Sequence, residues 1–494
     1  MSVPRVTLIG LDGVGLPLVE HWCKAGELPG FSALMEECSW CETKTTIPNV
    51  SPTAWTSILT GVNPGKHGIY GFVKRRAKSY SPRPISRNDM RAPPLWRLLS
   101  ENGLKSAWVG IPFIYPPEPI RGILIAGLGT PSKRSSFTYP PELREEILAR
   151  YPDFDVDFSE DEIELSKDIK KSLPKIDRVT DASIKIFKDL RSDEEYRLVG
   201  VVFRALDVLQ HYVRDPQSLL PYLRRFDELI LHCKETLGPS EVLVVCSDHG
   251  FRKVHSSFRI NNWLHSIGLM RLKGKPLLGS FGIQAEVFQK LLVSLGLRGL
   301  VWRIKRSRLA ERVLRVAPSQ DYLSSDVDWP ATEAYYLGNA GGAVFLNIKG
   351  REPAGAVERG PRYSEVVDKI ITEIQKAVDP RTGLKPVGRV YKNSEVYSGS
   401  LDNAPDVLFE ENEGYSIAGG YDYSDQCFTE IKSREGDHST KGILFVRGNN
   451  IRRGQRLSEL TVYDIAPTIL QILGVPIPSH FDGRVLTELL DTQS

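Results

Sequence analysis

Val6-Thr7-Leu8-Ile9-Gly10-Leu11 runs straight into Asp12-Gly13-Val14-Gly15. A continuous apolar run of this length, closed by glycines, predicts a strand covered on both faces. It leaves a carboxylate, Asp12, at the strand's C-terminal end. Some forty residues later Pro48-Asn49-Val50-Ser51-Pro52-Thr53-Ala54-Trp55 opens an apolar helical pattern that runs to Thr60-Gly61, with a hydroxyl at its mouth. A carboxylate can hold a metal ion, and a hydroxyl can be the nucleophile that the metal activates.

Other short apolar runs predict strands: Ser106–Gly110, Gly122–Ala126, Leu198–Phe203, Val242–Cys246, Gly342–Ile348, Val407–Phe409 and Gly442–Arg447. Helical patterns lie between them, at Leu95–Glu101, Pro141–Arg150, Lys175–Arg191, Leu219–Leu237, Tyr363–Val378 and Val462–Leu473. This alternation predicts an α/β fold with helices on both faces of a mostly parallel sheet. In such sheets ligands sit outside the carboxyl ends of the strands.

The residues just after those strands are rich in ligand types. Leu198–Phe203 leads to Asp207 and His211, which share one face if a helix begins there. Val242–Cys246 leads to Ser247-Asp248-His249-Gly250, and Gly436-Asp437-His438 precedes Gly442–Arg447. Buried unpaired carboxylates are costly, so several at strand ends imply a cation. Mixed oxygen and nitrogen donors suit two divalent ions, zinc first and manganese or iron as alternatives. The remaining histidines have plainer readings. His21, His232 and His265 fall in helical patterns, His480 in a loop, and His67 in a turn where a structural hydrogen bond is expected. His255 is a candidate for the substrate pocket.

Composition narrows the class. The chain has 494 residues, 41% hydrophobic and 25% charged, with a formal net charge of +3. These are the proportions of an ordinary globular protein, and the charge points to neither a nucleic-acid nor a membrane partner. No apolar run approaches the ~18 residues of a membrane span. The first residues lack the basic leader and cleavage site of a signal peptide, so a cytoplasmic location is expected. Six cysteines make no disulfide framework, and Cys38-Ser-Trp-Cys41 has no second pair to complete a zinc site. Residues 73–94 read as loop. Residues 255–330 read as an inserted cap over the strand ends, flanked by a catalytic core of residues 1–254 and 331–494. The basic run Arg298–Arg315 within the cap is expected to be a solvated helix face.

These motifs together resemble the type I phosphodiesterase/nucleotide pyrophosphatase family of the alkaline phosphatase superfamily. The matching pieces are Gly10-Leu-Asp12-Gly13, the Ser51 segment with Thr60-Gly61 and Pro64-Gly-Lys-His-Gly-Ile69, Asp207 with His211, Ser247-Asp248-His249-Gly250, Asp437-His438, and Tyr463-Asp-Ile-Ala-Pro467 with Phe481-Asp-Gly483. The resemblance implies an alkaline-phosphatase-like sheet and two bound metals. Asp207, His211 and His438 would hold one, and Asp12, Asp248 and His249 the other. Ser51 would bridge toward the second metal, attack phosphorus and form a covalent phosphoryl- or nucleotidyl-serine, which a water activated at the first metal would hydrolyse. Thr53 is the fallback nucleophile. The substrate implied is a small phosphodiester or pyrophosphate.

Three departures refine this. Thr53 and Trp55 stand where a sulfatase needs Pro and Arg, and Val50 stands where an alkaline phosphatase has Asp. The Asn that nucleotide pyrophosphatases carry after His-Gly-Ile is replaced by Tyr70-Gly-Phe72-Val-Lys-Arg-Arg76. Lys74, Arg75 or a backbone amide after Ser51 would then clamp phosphate, and Trp55, Phe72, Phe113 and Tyr115 are candidates for an aromatic slot. The alternative functions are a phosphomonoesterase or phosphomutase, and a catalytically idle protein binding an anion or a membrane surface.

Overall fold

The strand that opens the chain, β1 (Arg5–Leu11), lies at the centre of a ten-stranded sheet in the computed structural model of the protein. The structure describes residues 4–76, 79–158, 168–213, 215–273, 327–338, 341–421, 424–431 and 434–490. The other strands of the sheet are β2 (Ser39–Lys44), β3 (Ser106–Ile111), β4 (Gly122–Ala126), β5 (Thr138–Tyr139), β6 (Leu198–Phe203), β7 (Glu241–Cys246), β8 (Lys441–Arg447), β9 (Gln455–Arg456) and β10 (Leu460–Thr461). Their order is β9-β2-β8-β7-β1-β6-β3-β4-β5, with β10 also on β2.

Side chains alternate across the sheet as strand geometry requires. Ile9 and Leu11 join one buried cluster with the helices Leu16–Lys24, Leu173–Ser192 and Leu220–Glu235. Val6 and Leu8 join the opposite cluster with the helices Ser51–Thr60, Leu95–Glu101 and Ile465–Ile472. Both faces are therefore covered, which is why these strands read as unbroken apolar runs.

Register decides where the site falls. β6 and β7 flank β1 in parallel, with Leu11 opposite Phe203 and Gly10 opposite Cys246. The segments after all three strands, carrying Asp12, Asp207 and Asp248, thus emerge at one edge. β8 runs antiparallel to β7, so its N-terminal end reaches that same edge. His438 arrives there on Gly436–Ser439, which pairs with Gly250–Arg259 and sets Phe251 opposite His438.

Two runs read as strands lie elsewhere. Ala343–Leu346 and Val407–Glu411 belong to a separate four-stranded antiparallel sheet with Ala334–Tyr335 and Val387–Lys392. Its core joins Phe258, Trp263 and Leu264 to Val344, Ile370 and Leu408. The described part of the region read as a cap, 255–330, thus shares its core with residues as far as 409. The amphipathic helix Pro361–Lys376 also packs on this second sheet. The basic run Arg298–Arg315 lies outside the described residues. Residues 73–94, read as loop, carry a short hairpin of Val73–Arg75 with Pro82–Pro84.

Candidate active site

Ser51 is the first residue of its helix, with extended Val50 as N-cap and Pro52 in the first turn, a position proline favours. The Thr53 and Ala54 amides both donate to the Val50 carbonyl. Gly61 ends the helix in the left-handed conformation, φ 65°. This fixes Ser51 Oγ 3.2 Å from His249 Nε2 and 3.4 Å from Asp12 Oδ1. Thr53 Oγ1 is buried and has no hydrogen-bond partner, so the geometry engages Ser51 and not Thr53.

The structure brings Asp12, Asp207, His211, Asp248, His249 and His438 into one buried cluster. Donor atoms of Asp207, His211 and His438 lie within 4.8 Å of one another, as do those of Asp12, Asp207 and His249. Asp248 Oδ2 is 3.2 Å from His249 Nε2 and adjoins the second group. Asp207 therefore stands between the two sets, where sequence reading assigned it to one.

The three histidines share an orientation. Their Nδ1 atoms lie against backbone carbonyls: His211 at 3.0 Å from Gly436, His249 at 3.1 Å from Gly250 and His438 at 3.0 Å from Asn49. Donation from the Nδ1–H of His249 and His438 leaves their Nε2 lone pairs facing inward, the arrangement of metal-ligating histidines, whereas His211 Nδ1 also meets the Arg434 guanidinium at 2.8 Å. Asn49 returns the contact, its Nδ2 donating to the His438 carbonyl at 3.1 Å.

The carboxylates fit a cation as well. Gly13 N donates to Asp248 Oδ1 at 3.2 Å, while Asp248 Oδ2 and Asp207 Oδ1 are buried with no hydrogen-bond partner. Burial, then the neighbouring carboxylates, pushes the Asp12 carboxyl well above its ordinary value. Burial and Asp207 push Asp248 up also. Burial opposes the charge on Asp207 too, but His211, His438 and Arg204 hold it below the usual range. Burial, and then His438, keeps His249 neutral, as burial and Arg434 do His211. Neutral imidazoles beside crowded carboxylates with orphaned oxygens are a donor set for divalent cations.

Other sequence candidates fall elsewhere. Trp55 is only 1% exposed, and its Nε1–H donates to Asp12 Oδ2 at 3.0 Å. It supports Asp12 from within the core. Phe72 packs edge-on to Phe113 at 5.6 Å in a separate small cluster with Ile69 and Ile85. Lys74 pairs with Asp89 at 3.1 Å, and Arg75 pairs with Glu352. His255 lies against Ser256 and Tyr415, and none of these contacts is with the carboxylate–histidine cluster. His67 makes the structural contacts expected of it, 2.9 Å to Ser57 Oγ and 3.1 Å to the Ile69 amide.

Sequence reading missed Asn49, Arg204 and Arg434. Arg204 donates to Asp207 Oδ2 at 3.3 Å and pairs with Asp157. The Arg434 guanidinium lies against the His211 ring. Arg204 stands three residues before Asp207, a helical spacing that could have marked it, whereas no spacing marks the contact of Arg434 with His211. Asn49, two residues before Ser51, was findable only by its place.

The model of the type I phosphodiesterase / nucleotide pyrophosphatase family matches residues 6–441. Phosphonoacetate hydrolase from Sinorhizobium meliloti 1021, solved with phosphonoacetate, is similar in structure. It has a TM-score of 0.58 and 14% identity over 96% of both chains. Murine ectonucleotide pyrophosphatase / phosphodiesterase 5, solved in complex with AMP, has a TM-score of 0.54 and 12% identity. The alignment covers 99% of this chain and 100% of the murine one. At these identities the two structures establish a shared alkaline-phosphatase-like fold.

Proposed function

The chain belongs to the type I phosphodiesterase / nucleotide pyrophosphatase family of hydrolases, and on that premise we propose that it cleaves phosphodiester or pyrophosphate bonds with Ser51 as nucleophile. The observation that carries this reading is the contact of Ser51 Oγ with both Asp12 and His249, in a pocket where two donor sets share Asp207.

Asp207, His211 and His438 would hold one divalent cation, and Asp12, Asp248 and His249 the other, with Asp207 within reach of both. Bound there, zinc or manganese would lower the pKa of the serine hydroxyl and neutralise charge on the phosphoryl oxygens. The protein's own part is positional. Trp55 Nε1–H turns Asp12 so that Oδ1 faces Ser51. The carbonyls of Asn49 and Gly250 hold the His438 and His249 rings in one tautomer. The Ser51 helix presents its positive end to the phosphate. A bond from Ser51 Oγ to phosphorus forms as the leaving oxygen departs. Water then replaces Ser51 on phosphorus, which releases the second product and restores the hydroxyl.

We place substrate selection in the second lobe. It reaches the nucleophile segment where Tyr397 Oη donates to the Ile47 carbonyl and Gly341 packs on Pro48. Six free cysteines suit a reducing compartment, which favours the cytoplasm. No described helix is long and apolar enough to cross a membrane.

The test is hydrolysis of bis-p-nitrophenyl phosphate and a dinucleoside pyrophosphate before and after EDTA, with zinc or manganese restored. Activity lost on chelation and regained with metal is expected. Full activity after thorough chelation, or none on either substrate with metal present, would sink the reading.

A further inference from the structure

Among the described residues that touch the cluster, Arg434 is a part-exposed cation. Its Nε donates to the Gly436 carbonyl at 3.3 Å, and its Nη2 lies 2.8 Å from His211 Nδ1 and 3.0 Å from His211 Nε2, the nitrogen that faces Asp207 and His438. Asp437 tethers it at 3.5 Å. Asp437 is itself anchored by the His438 amide at 2.9 Å and by Ser416 Oγ at 2.5 Å. The Arg434 side chain is 37% exposed, so the guanidinium stands at the rim of the cluster and not beneath it.

The neighbouring cations are committed inward. Arg204 is 6% exposed and bound to Asp157 and Asp207. Arg252 donates to the carbonyls of His438, Asn412 and Tyr415. Lys74 and Arg75 serve Asp89 and Glu352.

Two divalent cations held by Asp12, Asp207 and Asp248 would leave the pocket one net positive charge, which the single negative charge of a phosphodiester already neutralises. A fixed guanidinium beside that pocket has a use only when the substrate carries more charge. Its planar fork matches two phosphate oxygens, a geometry that a lysine cannot copy. We infer that Arg434 recognises a second negative charge close to the attacked phosphorus. This inference rests on the phosphoester reading above and narrows its substrate class. The charge belongs either to the attacked group itself, as in a monoester dianion, or to a flanking phosphate, as in a pyrophosphate. Substrates bearing it are favoured over simple diesters.

The metal-loaded full-length protein is compared with Arg434→Gln and Arg434→Lys on p-nitrophenyl phosphate, a dinucleoside pyrophosphate and bis-p-nitrophenyl phosphate. Arg434→Gln is expected to lower kcat/KM at least about ten-fold for one or both of the doubly charged substrates, the size of a charge-assisted hydrogen bond. The simple diester should change by less than about three-fold, a shift outside that interaction. A loss on the monoester alone places the second charge on the attacked phosphorus, and a loss on the pyrophosphate alone places it on the neighbour. Arg434→Lys should recover part of the loss. Equal losses on all three substrates, with or without lost metal, would mean that Arg434 only supports His211, and would overturn the inference. So would no loss on any.

Calorimetric binding of inorganic phosphate separates this from failure of the hydrolase reading. If the wild type cleaves none of the three substrates, the proposed function fails. Phosphate binding at least about ten-fold weaker in Arg434→Gln would still uphold Arg434 as the anion contact. Unchanged phosphate binding, or none by the wild type, would overturn it.

Discussion

Trp55 Nε1 donates to Asp12 Oδ2 across 3.0 Å, which ties the nucleophile's own helix to the carboxylate at the end of β1. The indole reaches Asp12 because position 10 is glycine. A Cβ there would stand 2.4 Å from Trp55 Cη2. Sequence, packing and site thus meet in one contact: a residue lacking a side chain on the strand admits the largest side chain of the helix.

Trp55→Phe keeps most of the packing and removes only the donor. Asp12 Oδ2 then loses its fixed orientation, and affinity for one metal equivalent should fall about 10–100-fold, the usual effect of removing a partner of a ligand. Zinc titration calorimetry measures this. Unchanged affinity at both equivalents would show that the indole is packing alone. Gly10→Ala should destabilise by about 1–3 kcal/mol through overpacking, and Trp55→Phe should relieve part of that loss in a thermal melt of the double variant.

Ser51→Ala should abolish turnover, by on the order of 10³-fold or more, while both metal equivalents remain bound. Thr53→Val, which removes the fallback hydroxyl, should leave kcat within about three-fold because Thr53 Oγ1 has no partner to lose. Steady-state kinetics with elemental analysis of the same samples decides it. The reverse pattern would transfer the nucleophile to Thr53.

Much of this site was legible because its residues follow strands directly. Asp12, Asp248 and His249 each stand within three residues of an apolar run, and a parallel sheet lines up such ends. Asp207 and His211 needed only helical spacing. What escaped reading depends on contacts between distant segments. Arg434 meets His211 across more than two hundred residues of chain. Trp55 could be read only as a candidate for an aromatic slot, because a helix pattern does not say which face meets a glycine in another strand. Gly342–Ile348 and Val407–Phe409 read as strands, yet their composition held nothing to say which sheet they join. Pairing, not propensity, makes that choice.

Asp207 belongs to both donor groups, so its loss should differ in kind from loss of a ligand to one. Asp207→Asn is expected to retain less than one equivalent of metal after gel filtration. His211→Ala and Asp12→Asn should each retain about one, since each removes a single-site ligand. Inductively coupled plasma measurement gives the stoichiometry. One full equivalent retained by Asp207→Asn would return Asp207 to a single site.

His67 supplies a pH test away from the metal ligands. It is buried between Ser57 Oγ and the Ile69 amide. Burial, and secondarily Arg91, lowers its imidazole from 6.5 to about 3. The unfolded chain therefore takes up a proton below pH 6.5 that the folded protein refuses until about pH 3. The stabilisation this gives is complete above pH 6.5 and is lost progressively as pH falls toward 3. His67→Asn removes the titration. The variant should be less stable than wild type at pH 7.5, and the gap should narrow by up to about 1.4 kcal/mol per pH unit below pH 6.5. Because the metal ligands titrate alike in both proteins, the difference between their unfolding curves isolates His67. Parallel curves from pH 7.5 to pH 5 would mean that His67 takes up its proton equally in the folded and unfolded chains, and would overturn its buried, neutral state.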